Sequence, residues 1–264
     1  MIPREILDMY KEKQLYKNDI CNKCKAQAIK ETGWISKPLA IWHVGKGFAS
    51  DRYKILFIGK PHRESHADEF YMKKNISEYL PAENCLKMDS TYQVSIAENL
   101  ATRLFFKKRW AYWSYTKALI KSLYSIKDDA EAWEKIAITN IVKCTISMGN
   151  DGTSDIMKKS CIDDLGIIWR EIELLKPKNI IFYTGRDYDN YLQDYTLKKH
   201  LGTDNIELIE DKSNKIGQKD CRFWYRKVYL KNEESINVLV VGHPQYMKKD
   251  QYLEMIKNWL IDSS

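Results

Sequence analysis

The chain has 264 residues, enough for one large domain or two small ones with an ample core. Hydrophobic residues make up 44% and aromatics 12%, with 17 Tyr and 8 Trp, which excludes a disordered chain and leaves a packed globular one. Lys and Arg number 43 against 36 Asp and Glu, a formal charge of +7 that suits a polyanionic partner as readily as a solvated surface.

In chain order, the N-terminus, Met1-Ile2-Pro3-Arg4-Glu5, lacks the apolar stretch of a secretory signal, and no apolar run approaches the roughly 20 residues of a membrane span. A cytoplasmic protein with no membrane association, acting as a monomer, is therefore expected. Cys21 and Cys24 follow in a segment of about 1–50, and in a reducing compartment the six cysteines (21, 24, 85, 144, 161 and 221) point to metal or to burial rather than to disulfides. Four near-continuous apolar runs then read as strands buried on both faces of a parallel sheet: 54–59, 136–142, 179–185 and 237–242. Residues of about 60–130 form an insertion in which Phe105, Phe106, Trp110, Tyr112, Trp113 and Tyr115 interleave with Arg103, Lys107, Lys108, Arg109 and Lys117.

Ile156, Cys161, Ile162, Leu165, Ile168, Ile172 and Leu175 trace one helical face from a Ser154 N-cap to a stop at Pro177. The segment 203–234 alternates around Phe223, Tyr225, Val228 and Leu230, the pattern of an edge strand or hairpin, and Tyr252, Leu253, Ile256, Trp259 and Leu260 mark a closing helix. Alternation of strand and helix predicts a single three-layer α/β/α domain over 1–264 with a central, mostly parallel four-stranded sheet. In such sheets ligands bind beyond the carboxyl ends of the strands.

Three turns at those ends carry chemistry: Gly59-Lys60-Pro61-His62-Arg63-Glu64, Thr139-Asn140-Ile141-Val142-Lys143-Cys144 and Gly242-His243-Pro244-Gln245-Tyr246-Met247. Singly each is an ordinary turn or strand residue; at successive strand ends they gather an amide, an imidazole and an ammonium. Cys21, Cys24, Cys144 and Cys161 supply four thiols, a set that suits zinc and a 4Fe-4S cluster alike, while four unrelated buried cysteines remain the plain reading.

The order Cys21-Asn22-Lys23-Cys24, Gly59-Lys60-Pro61, Thr139-Asn140-Ile141-Val142-Lys143-Cys144, Cys161, Leu174-Leu175-Lys176-Pro177-Lys178, His243-Pro244-Gln245 resembles the uracil-DNA glycosylase superfamily, most closely its iron-sulfur, family 4-like branch. The resemblance covers roughly residues 18–260 and implies a DNA glycosylase that flips and excises uracil or another modified pyrimidine. It also implies that Cys21, Cys24, Cys144 and Cys161 hold a structural 4Fe-4S cluster, zinc being the alternative. Three departures stand out. Lys60 occupies the place of the family's water-activating carboxylate, Gln245 that of a serine, and Thr145-Ile146-Ser147 that of Arg-Pro-Pro.

Base removal needs a pocket that reads the flipped base and donors aimed at the oxygen where charge develops. By position His243 is that donor, and Asn140 offers both a donor and an acceptor to the pyrimidine edge. Glu64, close behind Lys60, is the expected substitute acid, with Gly59, Pro61 and His62 shaping the turn; the other two roles open to Lys60 are to stabilise the departing anionic base through its ammonium or to attack the sugar carbon through its amine. Phe70, Tyr71, Trp110 or Trp113 would supply a stacking platform, and Gln245, Tyr246 and Met247 would meet the duplex where the base departs. The aromatic insertion and altered first motif suggest a base other than plain uracil, such as a modified base of phage DNA, which would make the protein a defence enzyme. Rival readings are a non-catalytic binder of damaged or modified DNA, and an α/β protein that binds a nucleotide at the same strand ends.

Overall fold

The computed structural model describes residues 2–32, 36–38, 41–61, 101–107, 109–146, 153–203, 205–230, 234–245 and 247–263. In these, helices α1 (Arg4–Glu12) and α2 (Asp19–Thr32) lead to strands β1 (Ser36–Pro38), β2 (His43–Val44) and β3 (Ile55–Gly59). A helical stretch at 101–107 precedes α3 (Ala111–Tyr124) and α4 (Asp129–Glu134), and strands β4 (Ala137–Asn140) and β5 (Cys144–Ile146) follow. Next come α5 (Asp155–Lys158), α6 (Ile167–Leu175), β6 (Asn179–Phe182) and α7 (Asp194–Leu201). A hairpin of β7 (Asn205–Ile216) and β8 (Lys219–Tyr229), strand β9 (Ser235–Val241) and α8 (Lys249–Asp262) complete the described elements.

The α/β class holds, but the sheet is larger than the four strands expected. It has seven, in the order β2-β4-β3-β6-β9-β8-β7. The four apolar runs are β4, β3, β6 and β9, paired in parallel; β2, β8 and β7 add antiparallel strands at the flanks. Periodicity missed β2 because it is only two residues long, and it left the polar β7 undecided because that strand lies on the sheet edge with nearly every residue exposed or half-exposed. β1 and β5 form a separate two-stranded pairing.

Alternation along β3 explains the two packed faces. Leu56 and Ile58 join one core with Ile6, Tyr10, Trp42, Ile172 and Phe182. Ile55 and Phe57 join the other with Leu119, Trp133, Ile181, Leu239, Ile256 and Leu260. Helices therefore cover both sides of the sheet, which is why its strands are apolar throughout.

The helix expected from Ser154 to Pro177 is broken. α5 runs into a π-helical turn, Lys159–Asp164, in which the Leu165 amide donates to the Ser160 carbonyl at 3.0 Å. Gly166, at φ +62°, then resets the chain before α6. Ser154 is the N-cap residue, but its hydroxyl makes no capping bond. A left-handed glycine and a π turn leave little trace in apolar spacing, and π turns gather at functional sites. Here the turn carries Cys161.

All four parallel strands point their carboxyl ends the same way. β3 continues to β4 on one side, and the chain then returns to β6 on the other side of β3. The crevice between the ends of β3 and β6 is thus the topological switch point, where ligands bind in open α/β sheets.

The edge strand β2 contributes a titratable anchor. His43 is 4% exposed, stacks on Trp133 at 3.5 Å between ring centroids, and donates Nε2–H to the Trp133 carbonyl at 2.7 Å. Burial lowers its pKa to about 3. The unfolded chain binds this proton below about pH 6.5 and the folded chain does not, so the contribution is complete above pH 6.5 and is lost as pH falls toward 3. The difference in unfolding free energy between the parent and His43→Gln should shrink by up to about 1.4 kcal/mol per pH unit across that window. Urea titrations at stepped pH measure it, and a pH-independent difference would contradict it.

Candidate functional site

At the end of β3, Gly59 has no side chain to spare room for: a Cβ there would lie 2.9 Å from the ring of Tyr112. Tyr112 in turn packs edge-on against Tyr183, the residue after β6, at 5.5 Å. The hydroxyls of Tyr112 and of the fully buried Thr184 have no hydrogen-bond partner, and the buried hydroxyl of Tyr183 has only Thr116 beside it. Burial pushes both phenols up, so both remain protonated. Buried polar atoms of this kind call for an explanation such as a bound ligand or water.

Lys60 forms an ion pair with Asp187, on the turn after β6, across the switch-point crevice; the side chains are 21% and 50% exposed. Pro61 is buried. Asn140, 2% exposed, lies opposite Gly59 in the β3–β4 register. With the amide turned so that its nitrogen faces the Lys60 carbonyl, at 3.2 Å, its oxygen accepts from the Ile41 amide at 3.3 Å. In that orientation Asn140 bridges the backbone of the Lys60 turn and that of the segment before β2.

His243 follows β9 and is partly buried. Its Nδ1 accepts from the Gln245 amide at 3.2 Å, which places the proton of the neutral ring on Nε2, a donor. The turn is fixed from below. Tyr252 donates to the Gly242 carbonyl at 2.7 Å and Tyr115 to the Met247 carbonyl at 2.8 Å.

The aromatic platform is corrected at one position: Trp113 is 4% exposed in the core with Leu119 and Phe105, because it falls on the inward face of α3. Trp110, the N-cap residue of that helix, is 39% exposed. Gln245 is exposed, whereas Met247 folds back to within 3.3 Å of the Cβ position at Gly242 and does not stand out as a wedge. His62, Glu64, Phe70, Tyr71 and Tyr246 lie outside the described residues, as does Cys85.

Beneath Asn140 is a buried charge network. Lys143 and Glu171, both 0% exposed, pair at 2.7 Å. Lys143 Nζ also donates to Thr139 Oγ1 at 2.6 Å and to the Asn140 carbonyl. Glu171 accepts from Tyr10, whose oxygen accepts from Trp42 Nε1 at 2.8 Å. Burial still raises the Glu171 pKa against the pull of Lys143.

The next residue belongs to the cysteine centre. Cys21 and Cys24 on α2, Cys144 at the start of β5 and Cys161 on the π turn converge from three elements, and all are free thiols. Burial pushes Cys24 up to about 11 and Cys161 up to about 12. Cys144 is raised by burial and then by the nearness of Cys21, Cys161 and Cys24. Among the described residues no group of three or more His, Cys, Asp or Glu is arranged to hold a metal ion. Three buried thiols and the half-buried Cys144 are the donor type that both zinc and a 4Fe-4S cluster use, and burial disfavours each thiolate in the absence of a cation.

Sequence reasoning did not find Asp187, Tyr112, Tyr183 or the Lys143–Glu171 network. Asp187 follows a strand end in a turn that carries no recognisable motif, and the tyrosines read as core. Only the position of Asp187 two residues after Gly185, itself at φ +61°, could have drawn notice. No family model matches the chain, and no curated protein matches it. Among the described residues no helix is long and apolar enough to cross a membrane.

The cysteine geometry makes one expectation concrete. Protein purified without oxygen should be brown and carry about four irons and four sulfides per chain. Cys144→Ala should lose both, while Cys221→Ala, a buried thiol that packs beside Gly242, should keep them. Colourless protein with stoichiometric zinc would show the single-ion alternative instead.

Proposed function

We propose that this chain is a DNA glycosylase of the uracil-DNA glycosylase type, on a three-layer α/β/α scaffold, that removes uracil or another modified pyrimidine from DNA. The observation that carries the proposal is His243: an imidazole at a strand end whose Nδ1 is occupied by a backbone amide, so that its donor is Nε2–H. A donor preset at that turn stabilises the negative charge that gathers on a base oxygen as the glycosidic bond stretches. No proton need be exchanged at that atom. Lys60, His243 and the buried hydroxyls of Tyr112, Tyr183 and Thr184 lie at the carboxyl end of the parallel sheet, where a flipped base would enter.

Cys21, Cys24, Cys144 and Cys161 would hold a 4Fe-4S cluster whose part is structural, tying α2 and the π turn to the segment that follows the strand bearing Asn140. Lys248 and Lys249, exposed at the start of α8, and the net charge of +7 suit phosphate contacts. The bracing of Asn140 by backbone favours a role in holding the Lys60 turn. The substrate we favour is a modified base, as in phage DNA, because the site departs from the family at Lys60 and Gln245. The non-catalytic DNA binder makes the opposite prediction in the same assay.

Duplexes and single strands that carry different modified pyrimidines, incubated with the protein and probed for alkali-labile sites, test the proposal directly. His243→Ala should slow single-turnover cleavage by about two to three orders of magnitude, the cost of one transition-state donor, with little change in DNA affinity. DNA retention without abasic sites on any substrate would establish the binder, and an unaltered rate in His243→Ala would remove the imidazole from the chemistry.

A further inference from the structure

We infer that Asp187, on the turn after β6, is the carboxylate that takes the proton of the attacking water, an assignment that rests on the glycosylase proposal. Hydrolysis of a glycosidic bond needs a nucleophilic water on one side of the sugar carbon and a stabilised leaving group on the other. At the described strand ends, residues 59–61, 141–143, 183–189 and 242–245, the carboxylates are Asp187 and Asp189. Lys60 is the residue after β3, and its ammonium holds Asp187 across the crevice between β3 and β6. That crevice is the switch point of the sheet, the place where chain topology leaves room for a ligand.

The turn that carries Asp187 lies between the two other candidate groups. Gly185 donates to the Val241 carbonyl at 3.1 Å, and a Cβ on it would come within 3.8 Å of the His243 amide. Thr184, 0% exposed with an unsatisfied hydroxyl, is in the same turn. One carboxylate oxygen is engaged by Lys60, and with half the side chain exposed, water reaches the group. Asp189 is less open to water, 21% exposed against 50% for Asp187: its Oδ2 pairs with Arg222 at 3.3 Å, its Oδ1 is buried without a partner and burial raises its pKa, while Asp211 pairs with Arg222 at 3.0 Å.

The step balances without a further reagent. Water oxygen bonds to the sugar C1′ as the C1′–N bond breaks, and that electron pair leaves with the base while His243 Nε2–H donates to the base oxygen. Asp187 takes one water proton and releases it through solvent, to the departing base or its equivalent. Lys60 is then a positioning residue for the carboxylate and not the nucleophile.

The test uses the intact protein and whichever modified duplex the parent cleaves, with single-turnover rate, duplex Kd and melting temperature measured for Asp187→Asn and Lys60→Gln. Asp187→Asn should lose at least about 100-fold in rate with Kd and melting unchanged, the usual scale for a general base. Lys60→Gln should lose less, since the carboxylate remains but is no longer held. A parental rate in Asp187→Asn, or a parallel loss of rate and affinity, overturns the assignment and leaves the glycosylase proposal standing. A covalent Lys60-dependent adduct trapped by borohydride overturns it as well. If the parent makes no abasic site on any substrate, the proposal itself fails and takes the assignment with it.

Discussion

The buried ion pair Lys143–Glu171 is the constraint on which the rest of the structure depends. Both side chains are fully excluded from water, and the pair is kept only because every strong partner is present: Thr139, the Asn140 carbonyl, Tyr10 and, through Tyr10, Trp42. Exchange of such a pair for apolar residues is often harmless, but removal of one partner strands a buried charge at a cost of about 3–5 kcal/mol. The network therefore locks α1, the end of β4 and α6 into a single arrangement. Residues on either side of Lys143 inherit that arrangement. Asn140 is held at the strand end, and Cys144 is delivered to the thiol cluster, with Tyr16 reaching the Lys143 carbonyl at 3.4 Å.

The opposite face of the sheet is fixed by aromatic packing instead of charge. Tyr112, Tyr183, Tyr252 and Tyr115 form a chain of ring contacts beneath the strand ends, at 5.5, 6.3 and 5.8 Å. Two of the four spend their hydroxyls on the backbone of the His243 turn, and two leave theirs unspent. Gly59 belongs to the same layer, because only a residue without Cβ lets Tyr112 approach so closely. The turn that carries the imidazole is thus tied to this layer at Gly242 and Met247.

Much of this was legible in the sequence wherever burial or a short motif left a periodic mark. The runs 54–59, 136–142, 179–185 and 237–242 announced the parallel strands because both faces of each are covered, so no polar alternation dilutes the signal. Cys21 and Cys24 stood out by their own spacing, whereas Cys144 and Cys161 were joined to them through the family resemblance. What stayed hidden is what spacing cannot encode. A buried Lys143 and Glu171 look like any surface charges until their burial is known. The partnership of Lys60 with Asp187 spans 127 residues and is created only by the crossing of the chain between β3 and β6. Helical periodicity over 154–177 concealed the π turn, because a single extra residue in one turn shifts the apolar face without erasing it.

The two ion pairs near the strand ends differ in burial and in the number of their partners. Lys143–Glu171 is dry, many-partnered and remote from solvent; loss of either member should be felt first in folding. Lys60–Asp187 is half-exposed, with its carboxylate at 50% exposure, and pairs of that kind add only about 0–1 kcal/mol to a fold. A charge pair that contributes so little to stability, at the one crevice the topology reserves for ligands, is placed where it can act on a bound molecule at small cost to the scaffold. The carboxylate is open to water while the buried pair below it is not, and that difference in hydration separates a group that can exchange protons from one that can only hold its neighbours in place.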